Sequence, residues 1–110
     1  MLKVDMEYDK GILYVRLDGI LDRKVSYKIN NYVVPVVLKH KIKYLVFNLF
    51  YLKDIDESGL DALLNTKCAI RTNKGKICLC EVSEIIKQKI KRIRVKIASN
   101  ELAANHLINI

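Results

Sequence analysis

Ser58 and the acidic side chains around it are the residues of this chain whose types and spacing best suit chemistry. The run Asp-Ile-Asp-Glu-Ser-Gly-Leu at residues 54–60 follows an apolar, strand-like stretch and precedes a helix-like one. The first turn of a helix has unpaired backbone N–H groups and a partial positive charge, so it stabilises an anion placed there. The pattern therefore predicts that Ser58 is a phosphorylation site.

This run has two other interpretations, of which helix capping stays open and hydrolytic catalysis is disfavoured. Capping and the helix dipole alone favour Asp, Glu and Ser in a first helical turn, and Gly59 would then only permit close approach to a neighbouring strand. Hydrolytic catalysis by an aspartate and serine pair is disfavoured, because no histidine or lysine is placed to activate the hydroxyl. We therefore expect no catalytic residue and no enzyme activity.

The three cysteines indicate neither a metal site nor a redox site. Cys78 and Cys80 are two residues apart in a strand-like run, so their side chains should lie on one face of a strand, where free cysteine behaves as a small buried hydrophobe. The chain has no second ligand pair at zinc spacing and no Cys-x-x-Cys motif. We expect no bound metal and no cofactor.

Length and composition favour a small protein of the cytoplasm. With 110 residues, of which 51% are hydrophobic, the chain fits one domain over residues 1–110. No apolar run is long enough for a transmembrane helix, which argues against membrane insertion. The first residues lack the apolar region of a signal peptide, and an odd number of cysteines is a poor basis for disulfides. We therefore predict a cytoplasmic location.

The net charge of +8 is concentrated in one segment, residues 83–98, where six basic residues accompany a single acid, Glu84. Isoleucine and valine alternate with these charges, which is typical of an amphipathic helix followed by a half-buried strand with its charges in water. Nucleic-acid binding is disfavoured, because the segment has neither stacking aromatics nor a helix-turn-helix pattern. A binding site for an acidic protein partner stays open.

The first half of the chain predicts a hairpin, a helix and a buried strand. Residues 4–8 and 12–17 flank a short turn that contains Gly11, which is typical of a β-hairpin. Apolar spacing predicts a helix over residues 22–39 that kinks or ends early at Pro35. The nearly continuous apolar run at residues 43–49 predicts a central strand covered on both faces.

The second half alternates helices and strands. A helix should run from the Ser58 region to residue 72 or 73, with Gly75 as a stop signal. The next elements are a strand at 77–80 and a helix from a Ser83 cap to about residue 91. They are followed by a strand at 92–97 and a terminal helix capped by Ser99 or Asn100. The order β-β-α-β-α-β-α-β-α predicts a single α/β domain with a mostly parallel sheet of four to five strands and about four helices.

This order and two motifs resemble the STAS domain family, the fold of anti-sigma factor antagonists. Residues 18–22, Asp-Gly-Ile-Leu-Asp, resemble the family's Gly-x-Leu-Asp segment between the second strand and the first helix. Residues 55–60, Ile-Asp-Glu-Ser-Gly-Leu, resemble its apolar-Asp-Ser-Ser-Gly-Leu signature at the start of the second helix. Glu57 is a departure, because a second hydroxyl residue is common there, and its charge could partly imitate a modified state.

The resemblance implies a bacterial partner-switching regulator that is a substrate and ligand rather than a catalyst. Ser58 takes the position of the phosphoacceptor, Asp56 is the neighbouring acid, and Asp22 lies on the adjacent loop. The implied partners are an anti-sigma factor that is also the serine protein kinase, whose phosphorylation of Ser58 ends the complex, and a phosphatase that resets it. The predicted partner-binding residues are Asp22, Asp54, Asp56, Glu57, Ser58, Gly59, Leu60 and Asp61.

Two other functions stay open beside the switch. A non-switching STAS scaffold, such as an accessory subunit of a membrane transporter, would use the same helix end for constant docking. Nucleotide or polyanion binding would require a Gly-rich phosphate loop or salt-sensitive retention, and the four scattered glycines provide no such loop. The sequence also leaves the oligomeric state undetermined, although exposed edge strands could support dimerisation.

Overall fold

The computed structural model describes residues 1–108, and within them a five-stranded sheet has the order β1-β2-β3-β4-β5. The predicted hairpin is confirmed, since the first two strands pair antiparallel from Leu2↔Gly19 to Asp9↔Ile12, and every later pair of neighbouring strands is parallel. Residues 109 and 110 of the predicted domain lie outside the described residues. The strands are β1 (Leu2–Asp9), β2 (Ile12–Leu21), β3 (Tyr44–Ile55), β4 (Lys76–Cys80) and β5 (Lys96–Ala98).

Helices cover both faces of this sheet. In the described part of the chain they are α1 (Val34–Lys39), α2 (Glu57–Thr72), α3 (Glu84–Lys89) and α4 (Glu101–Ile108), with a π-helical turn at Ile29–Val33 before α1. Buried residues of α1, α2 and α3 join one core cluster, whereas those of α4 join a second cluster. The predicted α/β architecture is therefore confirmed. No helix of residues 1–108 is long and apolar enough to cross a membrane.

The apolar run of β3 follows from this layering. Leu45 and Phe47 are buried in the first cluster, and Val46 between them is buried in the second. A strand covered on both faces has no solvent side and therefore needs no polar alternation. Cys78 and Cys80 both belong to the second cluster, so the prediction that they share one face is confirmed.

Pro35 does not end the first helix, which continues to Lys39. The irregularity lies one turn earlier, in the π-helical turn Ile29–Val33, where the N–H of Val34 donates to the carbonyl of Ile29. A proline has no N–H and its ring clashes with the carbonyl four residues before it, and a wider turn relieves both problems. The alternative of an early end at Pro35 was therefore wrong.

Helix α2 ends where predicted, but the residue with a left-handed backbone conformation is Lys74, with φ of 60°, and not Gly75. The N–H of Lys74 donates to Arg71 O and the N–H of Gly75 donates to Ile70 O, each at 2.9 Å, which is a Schellman motif. Gly75 serves a different purpose, because a Cβ there would lie 1.9 Å from the carbonyl oxygen of Lys43. Glycine is required for close packing against the chain before β3.

The strands differ from their predicted lengths, most of all β2, which continues past residue 17 to Leu21, and β3 and β5. β3 continues to Ile55, where it pairs with Leu21 of β2, instead of ending near residue 49. β5 contains only Lys96–Ala98 instead of residues 92–97. Ile90 and Ile93 are buried in the first core cluster, so the segment between α3 and β5 packs as a loop against that core.

Candidate functional site

Asp56 positions the start of α2, directly after β3 ends. Its backbone is extended, and its carboxylate Oδ1 accepts a hydrogen bond from the N–H of Gly59 at 2.9 Å. This is side-chain capping of a helix N-terminus, which satisfies one of the N–H groups that the first turn leaves unpaired. Ser58 consequently lies in the first turn of α2, where its side chain is partly exposed.

The same aspartate joins the two sequence motifs. The N–H of Asp56 donates to Leu21 O at 3.2 Å, and its second carboxylate oxygen, Oδ2, accepts from the N–H of Arg23 at 3.0 Å. The loop after β2 and the first turn of α2 are therefore held side by side. The prediction that both motifs lie at one end of the sheet agrees with this geometry.

Gly59 is needed because α2 begins against the backbone of β2. A Cβ at this position would lie 2.3 Å from the carbonyl oxygen of Leu21 and 2.8 Å from side-chain carbons of Leu21 and Ile55. Gly59 is buried and Leu60 is 2% exposed. Neither residue offers surface to a partner in this structure, so we assign both a positioning role instead of the predicted contact role.

Asp22 builds the loop beside Ser58. Its Oδ1 accepts from the N–H of Lys24 at 3.0 Å, and its backbone carbonyl accepts from the N–H of Ser26 at 2.8 Å. These bonds form a local turn of the kind that aspartate favours. Asp22 remains partly exposed, so it can both shape this loop and contact a partner.

The acidic residues around Ser58 are bordered by basic residues from the segment that includes α3. Arg92 Nη2 lies 2.8 Å from Glu57 Oε2 and 3.3 Å from Asp61 Oδ1. The ammonium group of Lys89 pairs with the carboxylate of Asp54. That hydrogen bond, with a smaller contribution from the backbone N–H of Ile55, lowers the pKa of Asp54 below its ordinary value.

Sequence reasoning treated the acidic run and the basic segment as separate features and missed this contact. A signal was present in the predicted topology. Consecutive right-handed crossovers from β3 to β4 and from β4 to β5 place their helices on the same face of the sheet, next to one another. Lys89 and Arg92 come from the second crossover and therefore reach the first turn of α2.

The cysteine thiols have the chemistry of core groups. Burial raises the pKa of Cys80 to about 12 and also raises the pKa of Cys78, so both thiols stay protonated at neutral pH. Among residues 1–108, no group of three His, Cys, Asp or Glu side chains could hold a metal ion. At the end of the sheet where α2 begins, the partly exposed Ser58 lies among charged side chains.

These features define a class of small α/β domains that present a serine at the start of a helix, at the carboxyl end of a mostly parallel sheet. The chain belongs to the STAS domain family, whose sequence model matches residues 3–102. The resemblance proposed from two short motifs and the element order is thus confirmed.

The chain is also similar to individual anti-sigma factor antagonists. Over 82 residues the chain is 29% identical to an anti-sigma F factor antagonist of Paenibacillus polymyxa, covering 74% of this chain and 70% of that protein. The anti-sigma factor antagonist SpoIIAA in its unphosphorylated form has a TM-score of 0.80 at 17% identity, covering 97% of this chain and 98% of that one.

Two further structures show how widely the fold occurs. The Bacillus cell fate determinant SpoIIAA in the phosphorylated form has a TM-score of 0.75 at 17% identity over 96% of this chain and 99% of that one. The murine anion transporter Slc26a9 has a TM-score of 0.78 at 13% identity, covering 94% of this chain but 18% of the transporter. At these identities the structural likeness establishes the fold alone.

Proposed function

We propose that this chain is an anti-sigma factor antagonist that binds an anti-sigma factor through the surface around Ser58 and loses that binding when Ser58 is phosphorylated. The observation that carries the proposal is the partly exposed hydroxyl of Ser58 in the first turn of α2, held beside the loop after β2 by both carboxylate oxygens of Asp56. The relative from Paenibacillus polymyxa supports the same class of function.

The docking surface consists of Ser58 and the acidic side chains that surround it. These carboxylates favour a partner with a basic surface, since complementary charges speed association and set orientation. Lys89 and Arg92 offset part of the negative charge through their pairs with Asp54, Glu57 and Asp61. The surface is made of Asp22, Asp54, Asp56, Glu57, Ser58 and Asp61.

Phosphorylation would change this surface more than it changes the fold. A phosphate adds about −1.5 to −2 charges and three strong acceptors, next to the carboxylates of Glu57 and Asp61. The helix N-terminus offsets part of that charge, but Asp56 already uses the N–H of Gly59. The bulk of the phosphate and the cost of removing water from its charge would therefore act against a partner packed closely on the surface, while the buried contacts of Gly59 and Leu60 persist.

In this mechanism the anti-sigma factor is also the serine kinase, and a phosphatase restores the binding form. The chain supplies the hydroxyl and the docking surface, so it acts as substrate and ligand of its partner. Glu57 contributes a permanent negative charge beside Ser58, and its pair with Arg92 reduces the effect of that charge on an approaching kinase.

The experiment is a binding titration of the unmodified and Ser58-phosphorylated protein against the anti-sigma factor kinase encoded in the same genome. We expect phosphorylation to weaken binding at least about tenfold, or about 1.4 kcal/mol. Ser58→Ala should bind as the unmodified protein does but accept no phosphate. Ser99→Ala, an exposed serine outside the docking surface, is the matched control and should be phosphorylated normally.

Two outcomes would contradict the proposal. Phosphate transferred to another serine would remove Ser58 from its role. Equal affinity of the phosphorylated and unmodified proteins for the same partner would instead indicate a constant scaffold, such as an accessory subunit of a membrane transporter.

A further inference from the structure

A cavity of about 310 Å³ lies at the opposite end of the sheet from Ser58. β5 begins at Lys96, opposite Cys78, and so does not border the first part of β4. The resulting notch is bordered by the second half of α2, the segment before β5 and the end of α4. The cavity therefore exists because β5 is short and pairs only with residues 78–80 of β4.

Basic side chains from α2, β4 and the segment around the start of β5 line this cavity. Five of the residues that line it are lysine or arginine, and none of the chain's twelve acidic residues, all within residues 1–108, lines it. The ammonium group of Lys67 donates to the carbonyl of Arg94 at 3.1 Å, which fixes the segment that forms one wall. The five basic residues are Lys67, Arg71, Lys76, Arg94 and Lys96.

The rest of the lining is apolar. Ile77, Val95 and Leu107 contribute side chains from three different elements, and Cys78 adds a thiol that burial keeps protonated. An apolar wall lowers the local dielectric constant and strengthens the attraction between the basic groups and a bound anion. A concave site with a few charged groups beside an apolar lining is the usual form of a small-molecule site.

We propose that this cavity binds a small organic anion, with its phosphate or carboxylate group among the basic side chains and its apolar part against Ile77, Val95 and Leu107. A notch of this size suits a small molecule better than an extended polyanion, which needs a long groove or a flat surface. The site is independent of the proposed switch, because it lies at the other end of the sheet.

The first test uses phenyl phosphate as the probe in a ¹H–¹⁵N NMR titration of the whole chain, with inorganic phosphate and phenol as its two halves. We expect shift changes concentrated at Ile77, Val95, Lys96 and Leu107. We also expect phenyl phosphate to bind at least about tenfold more tightly than either half, because only it uses both parts of the cavity. Changes spread equally over Lys10, Lys41 and Lys43 would overturn the proposal.

The second test uses variants of exposed lining residues. Arg71→Gln and Arg94→Gln should each weaken phenyl phosphate binding about tenfold, the range expected for a charged hydrogen bond. Lys91→Gln, an exposed basic residue that does not line the cavity, is the matched control and should change affinity less than about twofold. Unchanged thermal melting of the arginine variants excludes an effect through folding.

Two results would refute the site. Equal weakening by Lys91→Gln would mean that overall charge alone attracts the probe. A duplex oligonucleotide that displaces phenyl phosphate and perturbs the same amides more strongly would instead assign these basic residues to a polyanion. Loss of affinity confined to the cavity variants, with no displacement by the oligonucleotide, is the result we expect.

Discussion

Arg92 forms ion pairs with both Glu57 and Asp61, at 2.8 Å and 3.3 Å, and so joins the loop after α3 to the first turn of α2. Each of these side chains is more than half exposed. The contact places a long surface cation against two acidic side chains of the helix start that contains Ser58. The charge next to the proposed phosphoacceptor is therefore set by two segments that are far apart in the sequence.

Replacing this cation should affect binding more than stability. Exposed ion pairs contribute about 0.2–1 kcal/mol, so we expect Arg92→Gln to lower the free energy of unfolding by less than about 1 kcal/mol. The unshielded carboxylates of Glu57 and Asp61 should speed association with a basic partner, most clearly at low salt. Urea unfolding and stopped-flow binding, with Lys91→Gln as control, would measure both effects, and an equal effect of the control would contradict this role.

Gly59→Ala should destabilise the fold strongly. The new Cβ would meet the carbonyl oxygen of Leu21 at 2.3 Å, and a backbone atom cannot move aside as a flexible side chain can. We expect a loss of about 2 kcal/mol or more, at the upper part of the range for overpacking. Chemical denaturation would measure it.

The neighbouring substitution Ser58→Ala is the control for Gly59→Ala. Ser58 is partly exposed, so its replacement should change stability by about 0.5 kcal/mol or less. Similar losses for both substitutions would show that the approach of α2 to β2 does not require glycine.

Asp56→Ala should remove the N-cap of α2 and the bond to the N–H of Arg23 together. Loss of a cap typically costs about 1 kcal/mol, and loss of the second bond should bring the total to about 2 kcal/mol. Asp56→Asn keeps a capping oxygen and should lose less. Asp61→Ala, which removes an exposed carboxylate of the same helix, is the control in urea unfolding and should retain nearly full stability.

Glu101 should make stability depend on pH in the acidic range. Its carboxylate accepts bonds at 2.8 Å from Arg16 and from Asn48, and these bonds hold its pKa below the ordinary value of 4.5. A carboxyl group whose pKa is lowered by folding stabilises the native state above its unfolded pKa. That contribution is lost as the pH falls through the lower, folded pKa.

Glu101→Gln should therefore be less stable than the parent chain at pH 7, with the difference shrinking as the pH is lowered from about 4.5. Urea unfolding between pH 3 and pH 7 would measure this convergence. Glu84→Gln, which alters a highly exposed side chain, is the control. A constant difference between Glu101→Gln and the parent chain over this range would show that the pair with Arg16 does not titrate as described.

Local patterns in the sequence determined most of the element order. Strand alternation, continuous apolar runs and helix caps act between near neighbours, so they can be recognised without knowing the fold. Ser83 and Asn100 cap α3 and α4 through bonds to N–H groups three residues later, as their positions indicated. The location of Ser58 at a strand-to-helix junction followed from the same kind of signal.

The tertiary structure alone decided the lengths of the strands and the contacts between side chains that are far apart in the sequence. β3 extends to Ile55 because β2 continues beside it, and β5 starts at Lys96 because Ile90 and Ile93 pack into the core as a loop. Strand pairing and core packing join residues far apart in the chain, and no local pattern encodes where they stop. The contact of Arg92 with Glu57, the burial of Gly59 and the basic cavity all depend on such distant contacts.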